Sequence, residues 1–363
     1  MPLSPLHAVD PERFERTDVL KRLNGASRAL AELKGVAASI PNQNILINTL
    51  TLQEARDSSA IENIVTTQDD LYREDNPADA TGTAVKEVLR YRQALQAGFV
   101  QTRASGLLTL NTILDIQQQL ECNRAGLRKL PGTALRDGAG RLVYEPPQDA
   151  NEVARLMGEL ERFIHDEPAY PADPLVKMAL IHHQFESIHP FYDGNGRTGR
   201  IINVLYLVKE GLLDIPVLYL SRHIVRTKPD YYRLLQDVRQ NDAWEEWVLY
   251  MLDAVALTAT DAIATIQAIK ALLQQTKQRV RDGYRFYSQD LINNLFNHPY
   301  TRVEFVQRDL GVSRITATRY LDKLAEDGVL EKLRIGRNNY YVNRPLFGLL
   351  GRDQLADEGA QPL

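Results

Sequence analysis

The chain has 363 residues, of which 44% are hydrophobic and 25% are charged, as in an ordinary globular protein large enough for two domains. Its formal net charge of −4 argues against a protein that coats nucleic acid, and its single cysteine, Cys122, excludes an internal disulfide. The first residues lack the apolar stretch of a secretory signal, and the central apolar run at 201–208 is too short to cross a bilayer. We therefore expect a cytoplasmic protein without a membrane partner.

Apolar residues recur at helical spacing through most of the chain, which predicts a mainly α fold. Between the fourth and fifth predicted helices, two short segments flank the turn sequence "DGAG", which predicts a β-hairpin. The first five predicted helices cover residues 17–40, 47–64 with a short polar interruption, 82–99, 109–121 and 149–167.

Two further predicted helices bracket a glycine-rich loop. The first begins with Asp173 as its N-cap and Pro174 in its first turn. It must end near His189, because Pro190 disfavours helical geometry in the residue before it. The second covers residues 196–211, so the loop lies at the N-terminus of a helix.

The loop "HPFYDGNGRTGR", residues 189–200, concentrates groups that bind phosphates. Its glycines let the backbone turn tightly at a helix N-terminus, where free amides form an anion site. Arg197 and Arg200 stand three residues apart on the same helix, and two guanidinium groups suit a polyphosphate. Asp193 offers a hard oxygen ligand for Mg²⁺, and His189 is the group that accepts a proton near neutral pH.

Together these groups predict the transfer of a phosphate-containing group to a hydroxyl. The loop is not a P-loop, because the pattern GxxxxGK[ST] does not occur in the sequence. A plain helix–loop–helix turn would account for the glycines alone, but not for a base, an acid and two arginines in the same loop.

The loop resembles the signature of the Fic (filamentation induced by cAMP) family, HPFx[D/E]GNGRxxR, and every signature position is present. The resemblance implies a helical catalytic domain that transfers AMP from ATP to a Ser, Thr or Tyr hydroxyl of a protein and releases pyrophosphate. It also implies that His189 is the general base, that Phe191 anchors the loop in the core, and that Asp193 holds Mg²⁺ against the α- and β-phosphates. The nucleotide-binding residues that it implies are Gly194, Asn195, Gly196, Arg197, Thr198, Gly199 and Arg200.

A second stretch, "SSAIEN", begins at Ser58 and matches the inhibitory motif [S/T]xxxE[G/N] of Fic proteins whose inhibitory helix precedes the catalytic loop. The match implies that Ser58 braces the helix and that Glu62 pairs with Arg200 in place of the γ-phosphate. The motif ends at Asn63, and the inhibitory helix is expected at about residues 54–64. Taken alone, Glu62 would instead be an ordinary carboxylate on a helix surface.

Three further assignments rest on the same resemblance. The hairpin at 132–144 falls where Fic proteins place a flap that pairs with the target backbone as an added strand. Tyr231 and Tyr232 resemble an aromatic pair near the adenine pocket, and Asn203 is a further candidate for that pocket. Ordinary packing within the helices is the alternative for the two tyrosines.

A pair of adjacent histidines, His182 and His183, precedes the loop, and Glu186 follows on the same helix face as His182. We interpret them as helix residues that pack under the loop. Zinc ligation is the alternative, but no third ligand stands at a suitable spacing.

The segment 285–350 predicts a winged helix-turn-helix domain. It holds ten Lys and Arg against seven Asp and Glu, a local charge of +3. A first helix ends near Gly311, Ser313 caps a second, and Gly328 closes it before a two-stranded wing. Contact with DNA and docking of a protein are both open for this domain, because acidic residues dilute its basic face. Its candidate DNA-contacting cations are Arg314, Arg319, Lys323, Arg334 and Arg337.

The expected function is a Mg²⁺-dependent protein adenylyltransferase that modifies target proteins and itself and is autoinhibited by Glu62. Two alternatives stay open: a DNA-binding transcriptional regulator whose Fic loop senses a nucleotide, and transfer of another phosphate-containing group. A homo-oligomer is compatible with the sequence, as is the removal of AMP. The predicted organisation is an N-terminal helical region (1–112), a Fic catalytic core (113–252), a linking helix (253–284), a winged-helix domain (285–350) and a tail (351–363).

Overall fold

The computed structural model describes residues 3–74, 80, 82–165, 170–335 and 338–358. Arg337 of the predicted wing and residues 359–363 of the predicted tail lie outside the described residues. The described part of the chain is mainly α-helical with a few short strands, which confirms the predicted fold class.

The helices of the described residues are α1 Thr17–Ala38, α2 Asn44–Ile61, α3 Gln68–Arg73, α4 Thr83–Ser105, α5 Leu110–Glu121, α6 Ala150–His165, α7 Pro174–Ile188, α8 Asn195–Lys209, α9 Leu220–Arg226, α10 Lys228–Asn241, α11 Trp244–Gly283, α12 Gln289–Asn297, α13 Val303–Leu310, α14 Arg314–Glu326 and α15 Arg344–Glu358. The strands are β1 Leu135–Arg136, β2 Leu142–Tyr144, β3 Tyr300–Thr301, β4 Glu331–Ile335 and β5 Asn338–Val342. Two short 3₁₀ helices, Leu6–Ala8 and Pro11–Phe14, precede α1.

The core around the loop is built on α7, whose residues are buried from Leu175 to Ile188. Helix α7 packs against α6, α8 and α11. Its start is fixed as predicted, because Asp173 accepts a hydrogen bond from the Leu175 N–H at 2.8 Å and Pro174 occupies the first helical position. Since α8 is also buried over most of its length, the loop joins two helices that cannot move without disturbing the core.

Helix α2 is continuous to Ile61, so the predicted polar interruption is wrong, and the helix stops before the predicted boundary at residue 64. The polar residues do not break it, because the Thr49 and Thr51 hydroxyls donate to backbone carbonyls one turn earlier. Glu62 takes the C-cap position, and Asn63 follows with a left-handed φ of 62°. Glu62 therefore projects from the end of the helix rather than from its side.

Helix α11 is 40 residues long and is the one described helix with the length and apolar composition needed to cross a membrane. Half of its most apolar 18-residue stretch is buried inside the protein, and α1 packs along it. Core helices of globular proteins share both properties, so this is weak evidence for a membrane span.

The C-terminal region combines α12 to α15 with a three-stranded antiparallel sheet in the order β3-β5-β4. Gly311 ends α13 with a φ of 64°, and the Ser313 hydroxyl caps α14 by accepting from the Thr316 N–H at 3.3 Å. The predicted helices and hairpin thus occur in the predicted order, while the winged-helix assignment itself stays a prediction. This region packs on α2, where the Gln53 side-chain amide donates to Leu350 O at 2.7 Å.

Candidate active site

The loop between α7 and α8 is held closed by its own hydrogen bonds. Asn195 Oδ1 accepts from the Phe191 N–H at 2.8 Å, and Asn195 Nδ2 donates to Phe191 O at 2.8 Å. Phe191 is fully buried beneath the loop. The structure therefore places the Asn195 side chain in the framework of the loop, and only its backbone remains at the helix N-terminus for a ligand.

Two glycines shape the start of α8. Gly194 precedes the helix with a φ of 77°, which favours glycine, and a β-carbon there would lie 2.5 Å from Glu121 Oε1. A β-carbon on Gly196 would collide with Glu62 Oε1 and lie 2.9 Å from Arg200 Nη1. The Glu62 carboxylate therefore lies against the first turn of α8, at the predicted anion site.

The buried guanidinium of Arg200 is bound by the end of α2. Its Nε donates to Ser58 Oγ at 2.8 Å, and its Nη2 donates to Ser58 O at 3.0 Å and to Glu62 Oε1 at 2.9 Å. Burial acts against both charges, but the ion pair outweighs it, so that the pKa of Glu62 is lowered and the pKa of Arg200 is raised. The side chain of Glu62 is 35% exposed and that of Arg200 is 1% exposed, so the pair lies where the core meets solvent.

Arg197 is also buried, but it is bound by two other carboxylates. Its Nη1 donates to Glu87 Oε2 at 3.1 Å and its Nη2 donates to Glu121 Oε1 at 2.9 Å. Neither acid could be predicted from the sequence, because they lie 110 and 76 residues away from Arg197 and no motif marks them. Thr198 and Gly199 are buried in the adjacent turn of α8, below the surface of the loop.

His189 ends α7 in a left-handed conformation with a φ of 49°, and its N–H donates to Phe185 O at 3.0 Å. The pKa of its imidazole is lowered to about 4, mainly by burial and further by the charges of Arg128 and Arg239. The ring is therefore neutral near pH 7, and its Nδ1 has no hydrogen-bond partner among the described residues. A neutral imidazole is the form that a general base requires.

Asp193 lies at the mouth of the loop with its side chain 77% exposed. Its Oδ1 accepts from the Gly194 N–H at 2.7 Å. Within the described ranges, no group of three or more His, Cys, Asp or Glu side chains is arranged to hold a metal ion. Mg²⁺ commonly binds through one or two carboxylates and the phosphates of a substrate, so one exposed carboxylate beside an anion site fits this ion.

Tyr231 and Asn203 lie behind the loop rather than at its surface. The Tyr231 hydroxyl is 2.9 Å from His182 Nε2, and Asn203 Nδ2 is 3.1 Å from His182 Nδ1. All three residues are buried, and burial lowers the pKa of His182 to about 3. Tyr232, by contrast, is 45% exposed. The rings of the predicted aromatic pair meet edge to face with their centroids 5.2 Å apart, but only Tyr232 is exposed enough for a nucleotide to reach.

His183 is buried beside His182. Its Nε2 lies 3.2 Å from Leu235 O, and its ring packs against Trp244 and Trp247. The two histidines therefore pack under the loop, as we interpreted them from the sequence. Among the described residues, no group of side chains is arranged to bind zinc.

The β1–β2 hairpin lies beside the loop. The backbone N–H of Arg128, in the segment that leads into the hairpin, donates to Pro190 O at 2.8 Å. Leu142 and Val143 on β2 are 56% and 41% exposed. A short exposed strand near His189 has the geometry needed to pair with an extended segment of another protein.

The cations predicted for DNA contact lie on α14 and β4. Arg314 and Lys323 lie 3.3 Å and 3.0 Å from carboxylate oxygens of neighbouring residues, which partly neutralise them. Arg319 and Arg334 are exposed. Contact with DNA therefore stays a prediction.

Three family models match the chain in order. They are the Fic/DOC family N-terminal model over residues 20–100, the Fic/DOC family model over residues 107–207, and the C-terminal domain of SoFic-like protein adenylyltransferases over residues 272–346.

Curated relatives of the chain carry the name protein adenylyltransferase, among them proteins of Aedes aegypti and Caenorhabditis elegans. "Protein adenylyltransferase Fic" of Aedes aegypti is 24% identical over 241 residues, which are 64% of this chain and 44% of the relative. "Protein adenylyltransferase fic-1" of Caenorhabditis elegans is 30% identical over 122 residues, which are 32% of this chain and 23% of the relative. The chain therefore spans less than half the length of these relatives.

Solved structures share the fold. A Fic family protein from Desulfovibrio desulfuricans has a TM-score of 0.56 at 22% identity, covering 94% of this chain and 98% of the other. A Fic-1 variant from Caenorhabditis elegans has a TM-score of 0.51 at 18% identity, covering 70% of this chain and 76% of the other. With the signature loop and three consecutive family models that span most of its length, the chain belongs to the Fic/DOC family.

Proposed function

We propose that the protein is a Mg²⁺- and ATP-dependent protein adenylyltransferase that is restrained by Glu62. The observation that carries the proposal is the position of the Glu62 carboxylate, which lies against Gly196 in the first turn of α8 and is bound to Arg200. Helix amides and a buried guanidinium both favour negative charge at this place. The names of the relatives from Aedes aegypti and Caenorhabditis elegans support the same chemistry.

In the proposed complex, the phosphates of ATP take the place of the Glu62 carboxylate. Arg200 binds the γ-phosphate once the ion pair has opened, and the amides around Gly196 bind the inner phosphates. Arg197 is neutralised by Glu87 and Glu121, so its role is to fix the start of α8 against α4 and α5. The chain thus contributes mainly orientation and stabilisation of the charge that develops on the phosphates.

His189 accepts the proton of the acceptor hydroxyl as the hydroxyl oxygen attacks the α-phosphorus of ATP. A new oxygen–phosphorus bond forms, and the bond from the α-phosphorus to the bridging oxygen breaks. Pyrophosphate leaves with that electron pair, and the imidazolium then returns its proton to solvent. The lowered pKa of His189 suits this role, because the ring begins the reaction uncharged.

Asp193 is the residue that would hold Mg²⁺, since its carboxylate is exposed at the mouth of the loop. When bound, the ion neutralises negative charge on the α- and β-phosphates. The adenine is expected at the exposed ring of Tyr232, because Tyr231 and Asn203 are buried behind the loop.

The acceptor is a target protein that offers an extended segment with a Ser, Thr or Tyr hydroxyl. The β1–β2 hairpin is suited to bind the backbone of that segment, and the exposed side chains of Leu142 and Val143 favour a partner with apolar residues beside the hydroxyl. Self-modification follows the same chemistry when a hydroxyl of a second copy enters the site.

The test is the fate of labelled ATP in a heat-treated protein extract with the purified chain and Mg²⁺. Label from the α-phosphate in protein supports AMP transfer. Label in protein from the γ-phosphate alone identifies a kinase and overturns the proposal. Absence of transfer from any nucleotide, with tight binding of the chain to DNA, would instead favour the regulator.

A further inference from the structure

The C-terminus of α7, which carries a partial negative charge, is surrounded by hydrogen-bond donors from other segments. The last turn of an α-helix leaves four carbonyl groups without helical partners, and in α7 these belong to residues 186–189. All four accept hydrogen bonds from side chains of other segments. Arg128 Nε donates to His189 O at 2.8 Å and its Nη2 to Ile188 O at 3.3 Å, the Tyr144 hydroxyl donates to Ser187 O at 2.9 Å, and Arg239 Nη2 donates to Glu186 O at 3.3 Å.

The two arginines are held in place by further contacts. Arg128 is buried, and its Nη2 also donates to Pro147 O. Arg239 projects from α10, where its guanidinium stacks over the Tyr144 ring at 3.9 Å and its Nε donates to Ser187 Oγ at 3.0 Å. Two fixed positive charges therefore lie at the helix end that carries His189.

This placement reverses the usual electrostatics of a helix C-terminus. The partial negative charge there ordinarily stabilises a cation, so a histidine at this position tends to become protonated. The groups that face His189 are Arg128 from the segment before β1, Arg239 from α10, Glu62 from the end of α2 and the carbonyl of Glu186. Of these, Glu62 and the Glu186 carbonyl favour the charged ring, and the two arginines disfavour it.

We propose that Arg128 and Arg239 are positioning residues that neutralise the negative end of α7 and so keep His189 uncharged and in a fixed orientation. The direction of the pKa shift at His189 agrees with this role, after the larger contribution of burial. The catalytic meaning of the proposal rests on the proposed function, because an imidazolium cannot accept the hydroxyl proton. The protonation of His189 can be measured whether or not the protein transfers AMP.

The decisive variant is Arg239→Gln, which removes the charge but keeps a hydrogen-bonding side chain. Nuclear magnetic resonance of labelled histidine rings, assigned with His189→Ala, measures the pKa of His189 directly. We expect the pKa to rise by about one unit in Arg239→Gln and to stay unchanged in Arg239→Lys. The matched control is Arg233→Gln, which removes an exposed arginine of the same helix that pairs with acids on its own helix.

An unchanged His189 pKa in Arg239→Gln overturns the proposal. If that variant does not fold, Arg239→Met provides a second uncharged side chain, one that still packs on the Tyr144 ring. Arg128 is a poorer first choice, because its removal leaves two buried carbonyls at the end of α7 without donors.

The pH dependence of AMP transfer provides a second readout, measured in a Glu62→Gly background. The acid limb of kcat/KM is expected to move upward in Arg239→Gln by the same amount as the NMR titration, with activity recovered at higher pH. A merely structural role would lower the rate equally at every pH and would overturn the proposal. If no AMP transfer is detected in any variant, the proposed function fails, and the NMR titration alone decides the role of Arg239.

Discussion

Replacing Glu62 with glycine removes the carboxylate that occupies the anion site of α8. Arg200 then keeps its hydrogen bonds to Ser58, but its Nη2 is released from the ion pair and faces the incoming γ-phosphate. A hydrogen bond to a charged group contributes about 1.5–3 kcal/mol. Because the Glu62 side chain is 35% exposed, solvent screens the pair and the lower end of this range applies. The initial rate of AMP incorporation should therefore rise about tenfold.

The assay compares initial rates of AMP incorporation for wild type, Glu62→Gly and Glu62→Gln at the same ATP concentration. Glu62→Gln removes the charge but keeps an oxygen acceptor, so its rate should lie between the other two. Glu32→Gln, which removes an exposed carboxylate on α1, is the matched control and should behave as wild type. If Glu62→Gly is no faster than wild type, the ion pair does not restrain AMP transfer and Glu62 is an ordinary helix-end carboxylate.

Arg200→Ala should not mimic Glu62→Gly, because it deletes the phosphate ligand together with the partner of Glu62; a rate above wild type in the labelling assay would contradict the assigned role. His189→Ala should lower the transfer rate by about 10²–10⁴-fold while ATP binding, measured by calorimetry, persists. The kcat/KM of Glu62→Gly should stay constant as the pH falls through about 6.5, the ordinary pKa of histidine. The reason is that the pKa of His189 is lowered to about 4, and removal of a nearby carboxylate lowers it further. A loss of kcat/KM with a midpoint near 6.5 would be inconsistent with a buried base. Asp193→Asn should raise the Mg²⁺ concentration needed for half-maximal rate, and an unchanged Mg²⁺ titration would remove Asp193 from the metal site.

Local chemistry explains which structural features could be predicted. Asp173, Pro174 and Pro190 mark the two ends of α7 through rules that involve only neighbouring residues. The polar stretch in α2 misled the prediction, because the Thr49 and Thr51 hydroxyls bond to their own helix instead of breaking it.

The site was predictable only where a motif spans it. The resemblance paired Glu62 with Arg200, and the structure brings Glu62 Oε1 to 2.9 Å from Arg200 Nη2. The partners of Arg197 and the arginines around His189 are separated from them by at least 50 residues along the chain. Such contacts depend on how α4, α5 and α10 pack around α7 and α8, which helical spacing does not specify.

The aromatic pair illustrates the same limit at short range. Tyr231 and Tyr232 are adjacent in sequence, yet one is bonded to His182 in the core and the other is 45% exposed. Consecutive helical residues point in different directions, so only the orientation of α10 decides which ring meets a ligand.

We propose that His189 drives the transfer of AMP to protein and that Glu62 holds this reaction back. The most direct measurement is mass spectrometry of Glu62→Gly, alone and with a heat-treated extract, after incubation with ATP and Mg²⁺. We expect adenylyl increments on the chain or on extract proteins, weaker increments with wild type, and none with the double variant Glu62→Gly/His189→Ala. Phosphoryl increments, or adenylyl increments that persist without His189, would contradict it.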